Sequence, residues 1–258
     1  MIRGVKEVIR RALPRRASPH RIWSGPLSGR SIVTSWHDYP AAILGLTERG
    51  LIAWLRQNVR RGETWLDIGA HYGYTTIALG ELVGEMGRVF AFEPMLATAG
   101  CLRETLARNH LGRLTVLPFA LGDVDSIEMR RVPTVRGMAD MTAAQISVSE
   151  SVLMSSLAWA WPRICGGDPK LHGIKIDVQG MEVEVLRGMM GILASRRPAL
   201  VLEFHVGVDR DAILELLLRC SYDLPGKAVD GDEQTAAGEY LDNRSYAFVG
   251  GGGERAGA

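Results

Sequence analysis

Hydrophobic positions at the start of the chain recur with a helical period. Ile2, Val5, Ile9 and Leu13 form one stripe, and Arg3, Lys6, Arg10 and Arg11 lie largely off it. The spacing predicts a short amphipathic helix that stops at Pro14. Residues 14–40 carry four prolines and many polar side chains and read as irregular or short β structure. Thr47 is placed to cap a helix through Leu51, Ile52, Leu55 and Val59, which Arg60-Arg61-Gly62 ends.

From residue 64 onward the pattern alternates. Short apolar runs predict strands at Thr64–Ile68, Arg88–Phe92, Leu114–Pro118, Gly173–Val178 and Ala199–His205. Between and after them, helical spacing predicts Thr75–Val83, Ala97–His110, Glu182–Ser195 and Asp209–Arg219. Tyr222–Leu224 and Ser245–Val249 are weaker strand candidates. Alternation of this kind implies right-handed βαβ units and a mostly parallel sheet covered on both faces. Residues 124–172, with the Trp159-Ala160-Trp161 cluster, interrupt the alternation as an insertion between the third and fourth strands. Such an excursion tends to sit over the carboxyl edge of the sheet, where ligands collect. The expected organisation is an N-terminal extension over 1–40, one α/β domain over 41–249 and a Gly-rich flexible tail over 250–258.

The composition of the 258 residues is that of an ordinary globular protein, 47% hydrophobic and 23% charged. No stretch reaches the roughly 18 to 20 apolar residues that a bilayer span needs, and the N-terminus lacks the apolar core of a secretory signal. Cys101, Cys165 and Cys220 are widely spaced and fit neither a disulfide framework nor a zinc site. A cytoplasmic location follows as the expectation. Net charge is +1, yet residues 1–30 hold eight basic side chains against Glu7 alone. A basic arm on a mildly acidic body suits weak contact between residues 2–16 and an anionic membrane surface.

The chemistry concentrates where the strand Thr64–Ile68 turns into the next helix, at Asp67-Ile68-Gly69-Ala70-His71-Tyr72-Gly73-Tyr74. Gly69 and Gly73 let backbone approach a ligand, and a helix start offers N–H groups to a carboxylate or a phosphate. Asp67 adds negative charge, which would repel a pyrophosphate but hold the ammonium of an amino-acid group. That favours S-adenosylmethionine over a dinucleotide. Glu93 ends the next strand 20 residues after Gly73, a placement suited to ribose hydroxyls, and Pro94 fixes its turn. Beyond the third strand, Ala120 and Leu121 are placed to meet an adenine edge, while Asp123 either joins them or caps a turn. Asp177 closes the fourth strand, Ile174-Lys175-Ile176-Asp177, and Glu182 opens the following helix, where the dipole favours a negative charge. Glu203 interrupts an apolar strand and is costly to bury unpaired. His205, at its end, is either a base or a solvated histidine.

These segments together resemble the FkbM family of S-adenosylmethionine-dependent methyltransferases, with Ile174-Lys175-Ile176-Asp177-Val178-Gln179-Gly180-Met181-Glu182 the most specific piece. Gly45-Leu46-Thr47-Glu48 also resembles the family's Gly-x-x-Glu. The resemblance implies a class I methyltransferase fold, a Rossmann-like seven-stranded mostly parallel sheet. It implies a cofactor site at Glu48, Asp67, Gly69, Ala70, His71, Gly73, Glu93 and Pro94, joined by Ala120, Leu121 and Asp177. It places Asp177 and Glu182 at the junction of cofactor and acceptor. The chemistry of a hydroxyl acceptor separately calls for a base, for which Asp177 or His205 is the expectation, directly or through water. The implied acceptor is a hydroxyl of a small molecule, sugar, polysaccharide or polyketide. No metal-ligand cluster is legible. Two features depart from the family: Gln179 stands where Glu is usual, and Ser156-Leu157-Ala158-Trp159 replaces a Leu-Asp-Asp motif. The rival readings are a nicotinamide-dependent oxidoreductase, against which the missing G-x-G-x-x-G speaks, and a cofactor-binding protein without catalysis. A nucleic-acid acceptor is disfavoured by the acidic body.

Overall fold

The computed structural model describes residues 12–142, 148–166, 169–229 and 239–250. The amphipathic helix predicted from Ile2 and the tail beyond Gly250 fall outside these residues. A hairpin of β1 (Ser18–Arg21) and β2 (Ser31–Thr34) comes first. The chain then forms β3 (Thr64–Ile68), β4 (Arg88–Phe92) and β5 (Thr115–Leu117). β6 (Ala120–Gly122), β7 (Glu128–Val135), β8 (Met138–Ala139) and β9 (Ser149–Ser156) follow. β10 (Gly173–Ile176), β11 (Ala199–Phe204), β12 (Lys227–Ala228) and β13 (Arg244–Phe248) complete the strands.

The main sheet has seven strands in the order β12-β13-β11-β10-β3-β4-β5. Its five strands from β11 to β5 are parallel, and β13 runs antiparallel to both of its neighbours. This is the expected Rossmann-like sheet. Side chains alternate across it as the strand period requires. Leu66 and Ile68 join Phe90, Phe92, Ile174 and Ile176 on one face. Trp65 joins Val89, Ala91 and Val201 on the other. Both faces are covered by apolar clusters, which is why these strands read as nearly continuous hydrophobic runs. The chain enters at β3, steps outward through β4 and β5, and returns to β10 on the other side of β3. The carboxyl ends of β3 and β10 therefore diverge and leave a crevice at the switch point.

Residues 18–44 are built into the body. Ile22, Leu27, Ile32 and Ile43 are buried in the same cluster as Leu102 and Leu106 of the helix Leu96–Arg108. Val33 N donates to Thr105 Oγ1 at 2.9 Å, and Asn109 pairs with both backbone polar groups of Ser31. The insertion contributes β7, β8 and β9, which join β6 in a second sheet, β6-β9-β7-β8, and a helix over Leu157–Ile164 whose Trp161 packs against Phe90.

Three local expectations differ. Thr47 does not cap the helix: Arg49–Asn58 begins after Glu48, whose backbone is left-handed (φ 52°) and whose side chain makes no capping bond. The Thr47 hydroxyl lies instead near Tyr39 and Glu48. The helix expected over Glu182–Ser195 is two, Glu182–Arg187 and Met190–Arg196. Between them Gly188 packs so closely on β6 that a Cβ would fall 1.7 Å from the Gly122 carbonyl oxygen. Tyr222 makes only an isolated bridge to Gly250, and the edge strand is β12. Among the described residues no helix is long and apolar enough to cross a membrane, and the three cysteines are free thiols.

Candidate functional site

A cavity of about 350 Å³ opens at the switch point, within the range of small-molecule sites. Its floor comes from the carboxyl ends of β3, β4, β10 and β11. One wall is the N-terminal segment, through Tyr39, Pro40 and Glu48, and the roof is the β7–β9 sheet, through Val132, Arg136, Met138 and Val152.

The glycine turn is tight for a visible reason. Gly69 (φ 79°) passes so near the end of β10 that a Cβ would lie 1.8 Å from the Asp177 carbonyl oxygen. The turn spends most of its N–H groups internally. Gly69 and Ala70 donate to Phe92 O, His71 to Glu93 and Gly73 to Ala70 O. Only the first helical turn, where Tyr74 and Thr75 line the cavity, keeps the orphan donors of a helix start.

Of the residues expected at a cofactor site, Glu48, Gly69, Ala70, His71, Glu93 and Pro94 line the cavity, as do Ala120, Leu121 and Asp177. Asp67 and Gly73 do not. Asp67 is fully buried beneath the turn, accepts a 2.6 Å hydrogen bond from Thr76 Oγ1 and lies 3.4 Å from Lys175 Nζ. Gly73 is the left-handed cap of the helix Tyr74–Val83. Both shape the turn from behind.

Glu93 is 3% exposed, and its two oxygens accept from His71 N (2.9 Å) and Met95 N (3.0 Å). Burial raises its pKa to about 7, with those N–H groups and Lys175 acting against the shift. His71 packs between Tyr39 and Tyr72 with the rings tilted to one another, and burial lowers its pKa to about 4, so its ring is neutral.

Lys175 is buried in the middle of a carboxylate group. Its ammonium donates to Gly69 O at 3.0 Å and lies 3.4 Å from both Asp67 and Asp177. Burial opposes its charge, yet Asp177, Asp67, Glu48 and Glu203 more than compensate and raise its pKa. Burial likewise opposes the charge of Asp177, but Lys175, His205 and Gln179 win and hold its pKa low.

His205 and Glu182 stand outside the cavity lining. His205 is 2% exposed, and its Nδ1 donates to the fully buried Glu182 at 2.7 Å. Its Nε2 faces Asp177 Oδ1 at 3.3 Å and Glu203 Oε1 at 3.4 Å, with the Gln179 amide 2.7 Å away. Burial alone would lower the His205 pKa, but Glu182, Glu203 and Asp177 raise it to about 10. The surrounding carboxylates favour the charged ring, whereas the Gln179 amide nitrogen beside Nε2 suits the neutral one; in either form the burial of His205 outside the cavity lining does not fit the expected role of base. Asp177, Glu203 and His205 also bring ligand-type atoms within 4.8 Å of one another, a grouping that the sequence spacing did not suggest. Lys175 already supplies a cation there. Glu203, Tyr39 and Lys175 are among the lining residues that the sequence did not assign to the site. For Glu203 the signal was present, as a lone carboxylate in an apolar strand.

The wall bears five carboxyl groups, from Asp38, Glu48, Glu93, Asp177 and Glu203, against two cations, Lys175 and Arg136. A cationic ligand is favoured there and a diphosphate is repelled. The remaining requirements of S-adenosylmethionine are met by this chain: a side-chain-free turn at Gly69, an acidic strand end at Glu93, and an apolar wall of Ile68, Phe92, Phe119 and Leu121.

Comparison with known proteins finds relatives among methyltransferases. The hexuronic acid methyltransferase AglP of Haloferax volcanii is 27% identical over 192 residues, which are 74% of this chain and 76% of its own. A solved FkbM methyltransferase of Methylobacillus flagellatus KT is 17% identical with a TM-score of 0.49, over 77% of this chain and 50% of its own. The precorrin-6y C5,15-methyltransferase of Geobacter metallireducens GS-15 is 16% identical with a TM-score of 0.49, over 78% and 87%. Residues 67–224, more than half of the chain, match the methyltransferase FkbM domain. The chain thus belongs to the FkbM family of S-adenosylmethionine-dependent methyltransferases.

Proposed function

We propose that this protein transfers the methyl group to a hydroxyl of a sugar or sugar-like small molecule. The observation that carries the reading is the carboxylate-rich cavity at the switch point, which matches a cationic donor and has Asp177 in its wall. The relative's action on a hexuronic acid supports a sugar acid as the first acceptor class to test.

In this reading Glu93 takes the ribose hydroxyls, Phe119, Ala120 and Leu121 flank the adenine, and Glu48 and Asp177 face the cationic end. S-adenosylmethionine supplies a methyl carbon made electrophilic by its sulfonium. The chain's own task is alignment, an effect worth about 7–11 kcal/mol where two reactants are well oriented. Asp177 stays ionised because Lys175 holds it, and Asp67 holds Lys175 in turn. His205 and Glu182 act as positioning residues that fix the Asp177 carboxylate from behind.

The test is calorimetry with S-adenosylhomocysteine and with NAD(H), followed by transfer of labelled methyl to a panel of glycans that includes glucuronate-terminated oligosaccharides. Tight S-adenosylhomocysteine binding and an alkali-stable methyl ether are expected. NAD(H) binding without S-adenosylhomocysteine binding would overturn the donor assignment. An alkali-labile methyl ester would move the acceptor atom to a carboxyl oxygen.

A further inference from the structure

We propose that Glu203 is the group that receives the proton of the acceptor hydroxyl. The inference rests on the methyl-transfer reading above and names the residue which that reading leaves open. Three side chains at the carboxyl ends of β10 and β11, away from the ribose-binding Glu93, can take up a proton: Asp177, His205 and Glu203. His205 is 2% exposed and outside the cavity lining, so no acceptor reaches it. Asp177 lines the cavity, but both its oxygens are engaged, Oδ2 by Lys175 at 3.4 Å and Oδ1 by Gln179 at 3.1 Å and His205 at 3.3 Å. Glu203 lines the same cavity, with 18% of its side chain exposed, and its ion-pair partner among the described residues is His205 alone, at 3.4 Å.

The sheet places the two carboxylates side by side. Ile176 pairs with Leu202 in parallel register, so Asp177 and Glu203 stand one step further on adjacent strands and share a face. Two carboxylates so placed divide the labour. The one beside Lys175 remains an anion. The other feels burial and the Asp177 charge, which raise its proton affinity, with His205 and Lys175 acting the other way. A carboxylate of raised pKa is the better base once ionised. As the acceptor oxygen bonds to the methyl carbon, the S–C bond breaks with its electron pair left on sulfur. The acceptor O–H proton passes to Glu203 and then to solvent.

The experiment compares wild type, Glu203→Gln, Glu203→Asp and Asp177→Asn with S-adenosylmethionine and a glucuronate-terminated oligosaccharide, and measures kcat against pH alongside S-adenosylhomocysteine affinity. Removing a general base costs about 10²–10⁴ in rate. Glu203→Gln is therefore expected to lose that much kcat and the acidic limb of the profile, while S-adenosylhomocysteine affinity holds within about threefold. Glu203→Asp restores part of the rate. Asp177→Asn keeps the acidic limb. Glu203→Gln turning over within about threefold of wild type, or slowed but with the acidic limb intact, overturns the assignment alone. Wild type that binds S-adenosylhomocysteine yet methylates no hydroxyl of the probe overturns the acceptor reading, and this assignment with it.

Discussion

Glu93 sets the pH at which the donor half of the cavity can be filled. Its carboxyl is 3% exposed and titrates near pH 7, because burial outweighs two backbone N–H groups and Lys175. Ribose hydroxyls donate to the ionised form, so the occupied site requires the proton to leave. With a pKa of about 7, about a tenth of the carboxyls are ionised at pH 6 and about nine-tenths at pH 8. Affinity for a ribose-bearing ligand should therefore rise about tenfold across that window, or about 1.4 kcal/mol. Stability without ligand moves the other way. The folded pKa lies above the ordinary value of 4.5, so the contribution of Glu93 is complete below pH 4.5 and lost as pH climbs through 7. The assay is calorimetry with 5′-methylthioadenosine, which has the adenine and ribose but no ionising amino-acid group. Glu93→Gln removes the charge from two charge-assisted hydrogen bonds and should cost about 2–4 kcal/mol, while abolishing the pH dependence. Wild-type affinity that stays flat between pH 6 and 8, or unaltered affinity in Glu93→Gln, refutes the reasoning.

Two further outcomes follow from the packing. His205 has a folded pKa of about 10 against an ordinary 6.5, so its stabilisation is full below pH 6.5 and is lost as pH rises towards 10, by about 5 kcal/mol at most. Urea unfolding at pH 7 and pH 10 should register that fall, and Glu182→Gln should cost about 3–5 kcal/mol at pH 7 and flatten the pH dependence. Gly69→Ala forces a Cβ to within 1.8 Å of the Asp177 carbonyl oxygen in a left-handed backbone. A loss of at least about 2 kcal/mol in unfolding free energy, together with loss of S-adenosylhomocysteine binding, is expected. A variant with wild-type stability contradicts the described contact.

The strands were legible because both faces of a parallel sheet are buried and leave apolar runs, and Glu93 and Asp177 were legible because they end such runs. What the sequence could not reveal is which side of the turn a carboxylate occupies. Asp67 looked like a ligand contact from its place beside Gly69, yet the strand period turns it towards Thr76 and Lys175, under the cavity floor. The Glu182–His205 pair joins residues 23 apart through the return of the chain to β11, a contact that no local spacing encodes. The break at Gly188 coincides with its close approach to Gly122 of β6, a contact between distant parts of the chain that the local pattern does not show. The β7–β9 pair also carries Met129 and Leu153 as exposed apolar residues, so the apolar positions of these strands do not mark a buried face.

The insertion roof is anchored to the body at few points near its tip: Thr98 Oγ1 donates to Gly137 O at 2.6 Å, and Met141 N to Gln179 O at 2.9 Å. The donor half, built on the glycine turn and Glu93, meets this scaffolding at β6, where Ala120 and Leu121 line the cavity and pair with β9. A canopy of another length or lining is therefore compatible with the same grip on the methyl source only where a β9-like strand still pairs with β6 and the two anchors persist.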